Sequence, residues 1–121
     1  MLRISDVVRI ANKPETNIKI LKRHSRYKFL KGEYVNDVIK VYTAAIESPL
    51  DFNITLLHEM IHARDDIRGR RGDSLCDPWV EPEAIETYRK RPELVDLIKE
   101  LYGINDFRYY QEQFGLLKKT A

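Results

Sequence analysis

The spacing of apolar positions along this 121-residue chain changes several times, and each spacing predicts a different secondary structure. Six segments have apolar residues every three or four positions, or residues typical of helix starts and ends, and we expect these to be helices. Two segments rich in β-branched and aromatic residues predict strands that neighbour each other across the turn-forming stretch KGEYVND. The expected helices are 5–11, 14–24, 52–68, 81–90, 92–102 and 107–117, and the expected strands are 26–30 and 38–46.

The strongest helical pattern lies at the centre of the chain. Residues 52–68 carry Ile54, Leu57 and Ile61 on one face, Asp51 is placed to cap the start, and Gly69 is placed to end the helix. Helices on both sides of a small sheet predict an α+β fold, and the length fits a single domain over residues 1–121.

Composition narrows the class of protein without naming a partner. No apolar run approaches the ~18 residues needed to cross a bilayer, so we expect no membrane partner. The lone Cys76 excludes an internal disulfide, and cytoplasmic residence is the simplest expectation. A net charge of only +2 predicts no nucleic-acid partner, and the basic run over residues 22–28 is interpreted as a solvated helix end.

Residues 58–62, which have the sequence HEMIH, carry the candidate chemistry. On a helix, His58 and His62 lie one turn apart on the same face, so both imidazoles can bind one Zn²⁺ ion. Glu59 lies about 100° further round the helix, where it is better placed as a general base beside a metal-bound water than as a ligand. The motif predicts zinc-dependent hydrolysis.

Catalytic zinc usually has a third protein ligand, and the sequence offers an acidic candidate set after the next loop. The stretch EPEAIE contains Glu81, Glu83 and Glu86 at the start of a predicted helix. A helix that crosses the first one there can deliver a carboxylate to the ion. Acidic residues are also common at helix starts because they favour the positive end of the helix dipole, so the pattern alone leaves the choice open.

HEMIH followed 19 residues later by Glu81 resembles the gluzincins, zinc peptidases whose third ligand is a glutamate on a separate helix. The chain is similar in size to the minigluzincins, minimal peptidase domains related to the catalytic domains of CAAX prenyl proteases, and the resemblance covers residues 38–90. It implies a zincin-like domain that cleaves a peptide or protein. Its ExxAD pattern selects Glu81, although Ile85 stands where Asp is expected; a thermolysin-like register would select Glu83.

Three functions follow as expectations from the motif and the resemblance. The first is a zinc peptidase in which residues 41–46 form an edge strand that pairs with the extended substrate. The second is a catalytically silent regulatory or peptide-binding module, and the third is a protease that cleaves a transcriptional repressor. The aromatic segment 107–121 either completes the core, which we favour, or covers the site as a lid. No pattern predicts an oligomeric state.

Overall fold

The computed structural model describes residues 1–69 and 78–116. Within them the chain is α+β, as predicted, with five helices, a three-stranded sheet and a short 3-10 turn at Thr43–Ala45. None of the helices in this part of the chain is both long and apolar enough to cross a bilayer. Cys76 lies outside the described residues. The elements are α1 (Ile4–Ala11), β1 (Asn17–Leu21), β2 (Gly32–Val35), β3 (Val38–Tyr42), α2 (Pro49–Ile67), α3 (Val80–Lys90), α4 (Glu93–Tyr102) and α5 (Phe107–Gln113).

The sheet has the order β1-β3-β2, with β1 parallel and β2 antiparallel to the central strand β3. A two-residue turn at Asn36 and Asp37 joins β2 to β3, and both residues have positive φ angles, 50° and 68°. This conformation matches the right-handed twist of paired strands, and Asn and Asp adopt it more readily than most residues. Because β3 is the central strand, β2 lies at one edge of the sheet.

The sheet is where the sequence-based predictions were wrong. The helix expected over 14–24 is strand β1, because Ile18 and Ile20 alternate with polar residues and pair with β3, and this period-two pattern prevails over the helical one. Residues 26–30 form a loop, and β2 lies within the stretch expected to be a turn. The edge strand expected over 41–46 is wrong, since β3 is central and ends at Tyr42.

Helix α2 is the central element and packs against the sheet and the other helices. It begins one turn earlier than predicted: Ser48 is the N-cap, and its hydroxyl oxygen accepts a hydrogen bond from the backbone N–H of Asp51, the residue expected to be the cap. Pro49 occupies the first turn, where no intrahelical partner for its nitrogen is needed. Eleven of the nineteen residues of α2 are buried, so the side chains in the middle of the helix are held rigidly.

The C-terminal helices close the core around α2. Helix α4 ends at Gly103, whose φ of 66° provides the predicted left-handed stop. From α5, Phe107 and Tyr110 are buried against Phe52, with the two phenylalanine ring centres 5.2 Å apart. Phe107 and Tyr110 therefore belong to the core and Phe114 packs against it, as the favoured interpretation expected, whereas Tyr109 is 46% exposed. Residues 117–121 lie outside the described part of the chain.

Candidate metal centre

The middle of α2 brings His58 and His62 together on one face, as the motif predicts. Their Nε2 atoms lie 3.2 Å apart and their ring centres 4.9 Å apart. Two imidazoles that bind a tetrahedral zinc at ~2.0–2.1 Å have their nitrogen atoms about 3.3–3.4 Å apart. His62 is only 6% exposed, whereas His58 is half-buried and faces a cleft. The spacing and the direction of the two rings fit one small divalent cation.

Glu81, at the start of α3, contacts the opposite side of the His58 ring. His58 Nδ1 lies 2.6 Å from the Glu81 Oε2 atom, so the imidazole donates a hydrogen bond to the carboxylate. Burial lowers the pKa of His58, but this hydrogen bond and the charges of Glu59 and Glu81 outweigh it and raise the pKa overall. A proton on Nδ1 leaves the Nε2 lone pair available on the side that faces His62. Imidazoles that bind metals are commonly oriented in this way by a carboxylate.

Glu59 lies between α2 and the edge strand β2. Its side chain is 2% exposed, and burial raises its pKa to about 7 from the usual 4.5, against the charge of His58, which lowers it. One atom each of His58, Glu59 and His62 lies within 4.8 Å of the other two, so these three residues could hold a metal ion. The carboxyl is therefore next to the histidine pair and poised to exchange a proton near neutral pH.

A glycine makes room for this carboxylate. A Cβ atom on Gly32 would lie 3.1 Å from Glu59 Oε2 and 3.0 Å from Thr55 Cγ2, closer than side chains normally pack. Strand β2 can approach α2 at this level only because Gly32 has no side chain. Gly32 was not predicted as part of the site. The Asn36-Asp37 pair is typical of a two-residue hairpin turn, and it could have indicated that Gly32 lies in a strand.

The three candidate glutamates of α3 have different partners. Glu81 contacts His58. Glu83 accepts hydrogen bonds from Arg64, one of them at 3.0 Å, and Glu86 pairs with Arg89 and Lys90 at the surface. Glu81 lies against His58 and outside the three-residue group that could hold an ion. Its role as third ligand remains a prediction.

Arg64 forms ion pairs with Glu83 of α3 and with Asp65, and these hold α3 beside α2. They were not predicted from the sequence. Arg64 is 5% exposed and binds both Asp65 and Glu83, which hold its pKa above the usual range. Asp65 is buried as well. Because Glu83 lies only two residues beyond Glu81, this ion pair sets the position of the helix turn that contacts His58. Arg64 is the one lysine or arginine within Pro49–Ile67, and this is the signal that could have identified it.

A cleft of about 430 Å³ opens in front of the histidines. Helix α2 forms one wall and β2 with the residues before it forms the other, while Lys31 and Asp51 close one end through an ion pair of 2.9 Å. Comparison with protein-family models, curated proteins and solved structures finds no match for this chain. The function must therefore be argued from the geometry of the site.

Proposed function

We propose that this chain is a minimal zincin-like domain that hydrolyses peptide bonds with the help of a zinc ion. The observation that carries the proposal is the arrangement of His58, Glu59 and His62, two imidazoles with facing nitrogen atoms and a buried carboxyl beside them at an open cleft. This set of groups fits a hydrolytic zinc site better than a structural one, since structural sites are closed to solvent and usually contain cysteine.

His58 and His62 would hold the ion, and Glu81 is the proposed third ligand. A zinc ion bound here supplies Lewis-acid activation of a water molecule and of the substrate carbonyl. Glu81 Oε2 lies against His58 Nδ1, so Glu81 would serve either as the ligand, after its carboxylate turns, or as the group that orients the ring. In both roles Glu81 would act at the site, whereas the side chain of Glu83 is hydrogen-bonded to Arg64.

Glu59 is the proposed general base. It takes a proton from the attacking water at a carboxylate oxygen and later returns it to the leaving amine. A pKa of about 7 in the metal-free chain means that both protonation states are accessible near neutral pH. Burial under β2 also restricts the carboxyl to the region beside the two histidines.

The edge of β2 that faces away from β3 supports a peptide as the substrate. In the hairpin, Val35 pairs with Val38 and Glu33 with Lys40, and Lys31 accepts a hydrogen bond from the Tyr42 N–H. Hydrogen-bonded pairs alternate along antiparallel strands, so the backbone groups of Gly32 and Tyr34 face outward. An extended peptide can add to this edge through those groups, which assigns to β2 the role first expected of residues 41–46.

Glu59→Gln tests the proposal, because the amide keeps the shape of the side chain but cannot accept the proton. We expect the variant to bind zinc as the wild type does and to lose peptide cleavage by at least about a hundredfold. Glu47→Gln, an exposed glutamate just before α2, is the matched control and should retain full activity. Equal cleavage by Glu59→Gln would contradict the assignment, and zinc binding without cleavage by the wild type would favour the peptide-binding module instead.

A further inference from the structure

The loop that leads into β2 carries a concentration of positive charge. We call residues 22–29 the basic loop. Lys22, Arg23, Arg26 and Lys28 are all exposed in it. Across the ranges 1–69 and 78–116, no carboxylate lies within ion-pair distance of any of these four side chains. The expected solvated helix end is instead an irregular loop at the rim of the cleft.

Many other cations of the chain are neutralised by a neighbouring carboxylate. These ion pairs are Lys13–Asp37, Lys31–Asp51, Arg64–Glu83, Arg68–Asp6, Arg89–Glu86, Lys90–Glu86 and Lys99–Asp106. Four unpaired cations within seven residues create a local positive potential that attracts an anionic partner. The basic loop reaches the cleft at its last residue, Phe29, which directly follows Lys28 and lines the cleft wall.

The basic loop also presents apolar surface at the same rim. The side chain of Phe29 is 81% exposed and that of Tyr27 is 50% exposed, and their ring centres lie 6.3 Å apart. Phe29 and Leu30 line the cleft directly before β2. A large aromatic side chain that is exposed in this way, beside cations and a strand edge, has the composition of a docking surface.

We propose that the basic loop docks an acidic segment of the substrate that also carries an apolar residue, which sits against Phe29. This inference rests on the proposed function and names its substrate class. The segment continues from the part of the peptide that pairs with the β2 edge, so recognition and cleavage use one extended chain. A nucleic acid fits less well, because Glu33, Asp51 and Glu81 line the adjoining cleft: a peptide can place an uncharged stretch there and its acidic residues at the basic loop, whereas a nucleic acid carries a phosphate at every nucleotide.

Three matched peptides test the inference, with one cleavable core and a flanking segment that is acidic, neutral or basic. For the wild type we expect kcat/KM to be about tenfold or more higher for the acidic peptide than for the neutral one, and the ratio to shrink in high salt. Arg26→Glu/Lys28→Glu should abolish this preference. Lys19→Glu/Arg108→Glu makes the same change in net charge away from the basic loop, with Lys19 on the opposite edge strand, and should retain it.

Binding measurements separate this inference from the proposed function. Fluorescence anisotropy on Glu59→Gln with a labelled acidic peptide should show binding that weakens about tenfold with Arg26→Glu/Lys28→Glu, and with Phe29→Ser when the peptide carries its apolar residue. If wild type cleaves all three peptides equally, the docking surface is wrong and the proposed function stands. If no peptide is cleaved but the acidic one binds through the basic loop, the docking surface stands and the proposed function is wrong. Tighter binding of a single-stranded oligonucleotide than of the acidic peptide would overturn the inference.

Discussion

Two successive turns of helix α2 use charged and polar side chains in opposite ways. The site turn, residues 58–62, carries two imidazoles and a carboxyl whose pKa is raised to about 7, all beside an open cleft. The locking turn, residues 64–66, carries Arg64 and Asp65, which are buried and form an ion pair. The first turn holds groups that can exchange protons and bind a ligand, and the second holds α3 in place.

The same division appears on α3, where two glutamates two residues apart face different turns of α2. The side chain of Glu81 is 56% exposed and contacts His58, whereas that of Glu83 is 18% exposed and contacts Arg64. A reactive site needs groups that are not fully neutralised by the protein, and such groups stabilise the fold little. The neighbouring ion pair between Arg64 and Glu83 holds α3 against α2, which keeps Glu81 beside the His58 ring.

The largest effect on stability should come from breaking the locking turn. Arg64→Ala leaves the buried Asp65 without its cation and leaves Glu83 with only the N-terminal ammonium of Met1, and we expect a loss of about 3–5 kcal/mol in the free energy of unfolding. Urea denaturation of the metal-free protein measures it. Arg68→Ala, which removes a partly exposed arginine one turn later, should cost about 1 kcal/mol or less. Equal losses in the two variants would show that the locking turn has no special role.

The two glutamates of α3 should separate metal binding from stability. Glu81→Gln should lower zinc affinity by about 10- to 100-fold with little change in unfolding free energy, because it acts at the ion or on a ligand imidazole. Glu83→Gln should change zinc affinity by less than about threefold and lower stability by about 1–3 kcal/mol, because it weakens the pair with Arg64. Zinc titration and urea denaturation on both variants check this, and the opposite ranking of affinities would assign the ligand to Glu83.

The site turn could be predicted from the sequence, because the patterns that define it span only one or two turns of helix. The helical positions of His58 and His62, and the stop at Gly103, follow from patterns within one or two turns of chain. The sheet could not be predicted equally well, because Ile18, Ile20 and Leu21 satisfy both a helical and an alternating pattern, and only pairing with β3 decides between them. The partner of Arg64 depends on how α3 crosses α2, which no local pattern specifies.

Gly32→Ala should sharpen the account of the site wall. The added methyl group meets Thr55 Cγ2, Glu59 Oε2 and the Lys40 carbonyl at 3.0–3.1 Å, so we expect a loss of about 1–3 kcal/mol and reduced peptide cleavage. Thr55→Ser removes the nearest of these atoms and should restore part of the stability in the double variant. A Gly32→Ala protein with wild-type stability and activity would mean that β2 does not need to approach α2 so closely.

The stability of the metal-free protein should also depend on pH. The folded chain keeps a proton on Glu59 up to about pH 7, whereas a free glutamate releases it near 4.5, so unfolding free energy should fall as pH rises between these values. The raised pKa of His58 acts in the same direction. Its contribution to the unfolding free energy is complete below the ordinary histidine pKa of 6.5 and is lost as the pH rises through the higher pKa of the folded chain. Urea denaturation with a chelator at pH 5 and pH 8 measures the difference, and Glu59→Gln should reduce it. Higher stability at pH 8 than at pH 5 would contradict the assigned protonation states.

Zinc content tests the central claim most directly. Elemental analysis should find about one zinc per chain in the wild type after dialysis against zinc and removal of excess metal, and none in His62→Ala. His24→Ala is the matched control, since His24 is the third histidine of the chain and lies in the exposed basic loop, and it should retain the metal. A wild-type protein that takes up no zinc, or a His62→Ala variant that binds it as well as the wild type, would contradict the metal centre on which the proposed function depends.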